Sequence, residues 1–123
     1  MGRVHLNDSW ITNTPIDLAN EVLRRFLAQQ QMTVGQAQAG SEIEARQGSQ
    51  LITRLLGGWF VNPKQLPKRA EIRLNPTEQG LRIEVFIEET LGLGYLDSIM
   101  KARYESYFQS WVHELKGVLH PVQ

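Results

Sequence analysis

Ala70-Glu71-Ile72-Arg73-Leu74 and Leu81-Arg82-Ile83-Glu84-Val85-Phe86-Ile87 both alternate apolar with polar residues, and Asn75-Pro76-Thr77-Glu78-Gln79-Gly80 lies between them. Successive side chains of a strand point to opposite faces, so the alternation predicts two half-buried strands. The turn-rich link predicts that they pair as an antiparallel hairpin. Its inward face would carry Ala70, Ile72, Leu74, Leu81, Ile83, Val85 and Ile87. Glu71, Arg73, Arg82 and Glu84 would stand on the other face, where opposite charges pair across strands and help to set the register. Phe86 breaks the pattern by falling on the outer face, where a polar residue is expected.

Elements on either side of the hairpin must cover its apolar face. Upstream, Leu18, Ala19, Val22, Leu23, Phe26 and Leu27 recur at helical spacing and predict a one-faced helix from Pro15 to about Gln30. Thr14 is placed to cap it, Pro15 suits its first position, and Asp17 puts a carboxylate at the positive end of the helix dipole. Downstream, Leu96, Met100, Tyr104, Tyr107, Phe108, Trp111, Leu115 and Val118 form one stripe of a second helix from about Tyr95 to Leu119, with Ser106, Gln109, His113 and Lys116 opposite. At 1.5 Å per residue that helix reaches about 36 Å, enough to cross a whole sheet. Val4, Leu6 and Trp10-Ile11-Thr12 suggest a strand before the first helix. Met32 and Val34, then Glu42 to Arg46, suggest two more joined at Gly40-Ser41. Leu51 to Leu56 reads as a strand or as a short helix. The expectation is an α+β fold: a single domain spanning 1–123, with an antiparallel sheet of five or six strands and both helices packed on one face.

Composition narrows the function classes. The 123 residues are one domain's worth of chain, and 41% hydrophobic content is ordinary for a globular core. Thirteen basic residues balance 13 acidic ones, which gives no bulk attraction to nucleic acid or to an anionic membrane surface. The absence of cysteine excludes disulfides, thiolate metal ligands and a cysteine nucleophile. No apolar run approaches a membrane span, and Met1 to Trp10 lacks the apolar stretch of a signal peptide, so the expected location is cytoplasmic.

Motifs with chemistry attached are sparse. Gly92-Leu93-Gly94 opens the last helix, but Asp97 occupies the third glycine position of a dinucleotide fingerprint and would repel a phosphate. Gly57-Gly58 is followed by no Lys-Ser or Lys-Thr pair of a P-loop. The three histidines are scattered without ligand spacing, so neither a metal nor a cofactor is expected. Glu88-Glu89, at the end of the best strand, reads as a solvated strand end more readily than as an acid–base pair. Lys64, Lys68, Arg69 and Arg73 stand near Trp59 and Phe60, a pattern used to bind single strands. Charges that deter edge pairing explain them more simply, and nucleic acid is not the expected partner.

The element order, with Leu91-Gly92-Leu93-Gly94 entering one long final helix, resembles the helix-grip proteins, the Bet v 1-like and START-like group. There a curved sheet wraps its last helix and encloses a pocket for lipids, hormones or polyketides. The chain departs from that group in having one helix where the group has a pair, and one fewer strand. No catalytic residue carries over. The resemblance and the aromatic residues together give the leading expectation, a non-enzymatic module binding an apolar or amphipathic small molecule between sheet and last helix. Trp59 and Phe60 would stand at the mouth, with Tyr104 and Tyr107 lining the site. The competing expectation is a protein–protein contact or a homodimer formed through exposed aromatics, Phe86 above all.

Overall fold

The computed structural model describes residues 4–35, 42–47, 66–90 and 98–122. In chain order these form β1 (His5–Thr12), α1 (Ile16–Gln29), β2 (Thr33–Val34), β3 (Glu42–Gln47), β4 (Lys68–Thr77), β5 (Gly80–Glu89) and α2 (Ser98–Val118). The five strands make one sheet in the order β1-β5-β4-β3-β2, with every neighbouring pair antiparallel. The α+β class, the five-strand sheet and both helices are as the residue pattern implies. Expectations for Gly40-Ser41, Leu51 to Leu56, Gly57-Gly58, Trp59, Phe60 and Leu91 to Gly94 fall on residues outside those described.

The β4–β5 hairpin is longer and its turn tighter than the alternating stretch alone indicates. Pairing runs from Lys68 opposite Glu89 to Thr77 opposite Gly80, leaving Glu78-Gln79 as the loop. The Thr77 hydroxyl donates to the Gly80 carbonyl at 2.6 Å and accepts from the Gln79 N–H at 3.2 Å, which lets Asn75, Pro76 and Thr77 join the strand. Gly80 has φ +139°, and a Cβ there would lie 2.7 Å from the Thr12 carbonyl oxygen and 2.9 Å from Ile11 Cγ2. Gly80→Ala should therefore lose about 1–3 kcal/mol through backbone strain and collision with β1. Urea titration would read it, and an unchanged midpoint would contradict it.

All seven predicted inward residues of the hairpin are buried, joined by Trp10 on β1 and by Ile43 and Ala45 on β3. Against this face α2 lays Met100, Tyr104, Phe108, Trp111, Val112 and Leu115, while α1 contributes Ala19, Leu23, Phe26 and Leu27. Phe26 meets Trp111 edge to face at 5.2 Å, closing the helix–helix seam. Two helix details depart from expectation. Leu18 is 50% exposed and Val118 44% exposed, because each stands on the outer side of a turn whose inner side is buried at Ala19 and at Leu115 and Leu119. Thr14 does not cap α1: Pro15 takes the N-cap position in extended backbone, and the Thr14 hydroxyl pairs with that of Thr12 at 3.1 Å. Among the described residues, no helix is long and apolar enough to cross a membrane.

The last turn of α2 is fastened to the first strand. Trp10 Nε1 donates to the Leu119 carbonyl at 2.8 Å, and Lys116 lies over the Trp10 ring while reaching Asp8 at 2.6 Å. Beyond the helix the Val122 N–H donates to the Ile11 carbonyl at 2.6 Å, and Pro121 bridges to Thr12, so the tail adds itself to the edge of β1.

Candidate functional site

Alternation along β4 and β5 does not stop where the apolar residues do. Carried back by two residues from Ala70 it turns Lys68 inward, and carried on from Ile87 it turns Glu89 inward; the two face each other in register. Lys68 has 0% of its surface exposed and Glu89 only 4%. The Lys68 ammonium sits 4.7 Å from the centroid of the Tyr107 ring on α2, a cation–π distance. Burial, which disfavours the charged amine, lowers the Lys68 pKa from 10.5 to about 7.

The two tyrosines of the α2 stripe play different parts. Tyr104 is fully buried and donates its hydroxyl to the Pro67 carbonyl at 2.9 Å, tying α2 to the entry of β4. Tyr107, four residues from Arg103 and half-buried, donates to Gln30 Oε1 at 2.9 Å, and Gln30 Nε2 donates in turn to Glu114 at 2.7 Å. Gln30 is the C-cap residue of α1, so this chain of bonds joins both helices. Burial, with Glu114 second, pushes the Tyr107 phenol above its usual pKa, so it remains a neutral donor.

Tyr107 also forms part of the wall of a groove of about 620 Å³ along α2, shared with Ser98, Ile99, Ala102, Arg103, Ser106 and Ser110. Short side chains recur at every fourth position along this open groove, at Ser98, Ala102, Ser106 and Ser110, and Ile99, 52% exposed, adds apolar surface to its lining. Among the described residues that line it, Arg103 is the charged one and none is acidic. Tyr104 is outside this groove, and Trp59 and Phe60 lie outside the described residues.

The opposite face of the sheet is a charged lattice. Arg69 reaches Glu71 at 2.7 Å, Glu88 at 3.2 Å and Glu44 at 3.9 Å; Arg73 approaches Glu42 at 3.8 Å; Arg82 meets Glu84 at 3.2 Å within its own strand. The basic stretch seen in sequence is thus divided between two faces, with Lys68 inside and Arg69 and Arg73 in ion pairs outside. Phe86 does project outward, half-buried, with the His5 ring at 5.9 Å and the Arg69 guanidinium at 6.0 Å. A second groove of about 580 Å³ runs beside it, lined by residues that include Asn7, Ser9, Arg73, Arg82 and Glu84. No group of three or more metal-binding side chains occurs among the described residues.

No protein-family profile and no curated protein sequence matches the chain. Its architecture does have solved counterparts. The crystal structure of protein MLL2253 from Mesorhizobium loti superposes with a TM-score of 0.59 at 8% identity, covering 94% of this chain and 96% of that one. The shared architecture is consistent with a helix-grip-like fold. Weaker likenesses are the di-domain ARO/CYC StfQ from the steffimycin biosynthetic pathway (TM-score 0.48, 14% identity, 94% of this chain and 50% of that one) and protein CV1439 from Chromobacterium violaceum (TM-score 0.43, 12% identity, 97% and 99%). The likeness to MLL2253 establishes shared architecture and nothing about activity.

Proposed function

We propose that this domain binds an amphipathic small molecule against its C-terminal helix, in the groove walled by Tyr107. The groove itself carries the reading: about 620 Å³ is within the size of ordinary ligand sites, and its lining combines apolar Ile99 and Ala102 with serine hydroxyls and one cation. That mixture suits a molecule with an apolar body and a polar end. Titration with fatty acids, isoprenoids and flavonoid-like compounds, followed by tryptophan fluorescence and amide shifts, tests it. Shifts should concentrate between Ser98 and Ser110, and Tyr107→Ala should weaken binding about tenfold. Silence across the panel, or shifts confined elsewhere, would overturn the reading.

The outer sheet face supports a second reading, self-association through Phe86, because an aromatic ring beside a groove is placed where a charged residue would keep the face solvated. Sedimentation at several concentrations separates the two. A dimer that Phe86→Ser makes monomeric, with small-molecule binding intact, would favour it, and a monomer at millimolar concentration would remove it.

A further inference from the structure

The hydrogen-bonding parity of the edge strand β1 is fixed at two points. The Val4 carbonyl accepts from the Glu89 N–H at 3.0 Å on the β5 side, and the Ile11 carbonyl accepts from the Val122 N–H at 2.6 Å on the other. Backbone groups of successive residues point to opposite edges of a strand. The even-numbered residues of β1 therefore bond β5, while His5, Asn7, Ser9 and Ile11 turn their N–H and C=O groups outward. The tail takes Ile11 and bridges Pro121 to Thr12, running antiparallel to β1. Among the described residues no backbone group pairs with the outward edge from His5 to Ser9, and the side chains of His5, Asn7 and Ser9 are exposed. The Ser9 N–H is held locally by Asp8 Oδ1 at 2.8 Å, a bond that an added strand would exchange.

Sheet edges that stay single usually carry lysine, proline or an unmatched charge. β1 has none of these: its formally charged residue, Asp8, is met by Lys116 at 2.6 Å. The tail seated at Ile11 runs in the direction that an added strand would continue. The open stretch is, moreover, its own antiparallel complement. A two-fold axis through Asn7 sets that residue opposite the partner's Asn7 and sets His5 opposite the partner's Ser9, so the outward backbone groups meet in register. Each asparagine amide is then donor and acceptor to the other, and the imidazole faces a hydroxyl. Asp8 falls across from the partner's Leu6, so no like charges are brought face to face.

We propose that β1 pairs antiparallel with β1 of a second copy over His5 to Ser9, joining two five-stranded sheets into one continuous sheet. The tail on Ile11 sets the limit of the pairing. Strands this short bury less than the roughly 1,200 Å² of a stable interface, so the dimer is transient and forms toward millimolar concentration. It depends neither on what the α2 groove holds nor on a contact through Phe86.

Sedimentation between about 10 μM and about 1 mM should show a reversible monomer–dimer equilibrium. Isotope-filtered NMR on mixed labelled and unlabelled protein should show Leu6 Hα beside the partner's Asp8 Hα, a non-hydrogen-bonded pair in this register. The His5 and Asn7 amides should exchange more slowly as concentration rises. Asn7→Pro removes an outward N–H and leaves the β5 ladder whole, so it should weaken the dimer at least about tenfold. Phe86→Ser should leave the dimer intact. The wild-type NMR contact decides the matter even where Asn7→Pro does not fold. A dimer kept by Asn7→Pro and lost with Phe86→Ser would overturn the strand pairing in favour of a contact through the sheet face. A monomer at millimolar concentration, or a dimer without the Leu6–Asp8 contact, would overturn it outright.

Discussion

Trp111→Ala should lower the unfolding free energy by about 3–5 kcal/mol, as emptying a large aromatic core site does. Trp111 is 1% exposed, packs edge-on against Phe26 and holds α2 against α1, so the space it leaves lies at the junction of both helices and the sheet. A loss of that size rivals the whole stability of a small domain, and the variant is expected to be largely unfolded at 37 °C. Trp111→Phe makes the sharper comparison. The buried indole N–H finds no hydrogen-bond acceptor among the described residues, and a buried donor without a partner carries a desolvation penalty of about 1–3 kcal/mol. Phenylalanine keeps much of the ring and discards the donor, so this variant should lie within about 1.5 kcal/mol of wild type. Urea titrations of both variants decide the matter, and equal losses would mean that the indole N–H is satisfied in solution.

The second large effect appears as a pH slope. Lys68 titrates near 10.5 in an unfolded chain and at about 7 when folded, because burial strips its charge of water. Below pH 7 both states hold the proton, and the folded state bears the full cost of the buried ammonium. Between pH 7 and 10.5 the unfolded state binds more protons than the folded one, so stability rises with pH, and above that range the penalty is gone. At about 1.36 kcal/mol per pKa unit, the whole span is worth roughly 5 kcal/mol. Wild type should therefore gain on Lys68→Met by more than about 2 kcal/mol between pH 7 and 9. The raised phenol of Tyr107 is common to both proteins and cancels in the difference. Parallel stability curves over that interval would show that Lys68 keeps its ordinary pKa in the folded state.

What could be read in the sequence divides along physical lines. The hairpin and both helices were legible because alternation and helical spacing report directly on which side chains leave water, and Leu23, Phe26, Ile72, Ile83, Val85, Tyr104, Phe108, Trp111 and Leu115 are all buried as expected. Phe86 was correctly turned outward by the same rule. The groove was not legible, since it depends on short side chains along a helix face that looks simply polar. Lys68 was misplaced for a simpler reason. It was grouped with nearby charges, although counting back by twos from Leu74 through Ile72 and Ala70 puts it on the inner face. Thr14 looked like a cap because local sequence favours it, yet Pro15 took the position and the Thr14 hydroxyl found Thr12 instead.

The fastening of β1 to the end of the chain bears on how the protein is made. His5 pairs with Glu88, Trp10 with Ile83 and the Leu119 carbonyl, and Ile11 with Val122, so β1 has partners that all follow it by about 70 residues or more. Until those residues emerge, β1 is an unpaired strand bearing Trp10, exposed to other chains in the same condition. Pairings this distant in sequence are closed late and slowly, because the entropy of bringing the segments together is lost before their contacts form. Completion of this sheet is accordingly expected to wait until β5, α2 and Val122 have emerged, with crowding of nascent chains before that point as its greatest vulnerability to aggregation.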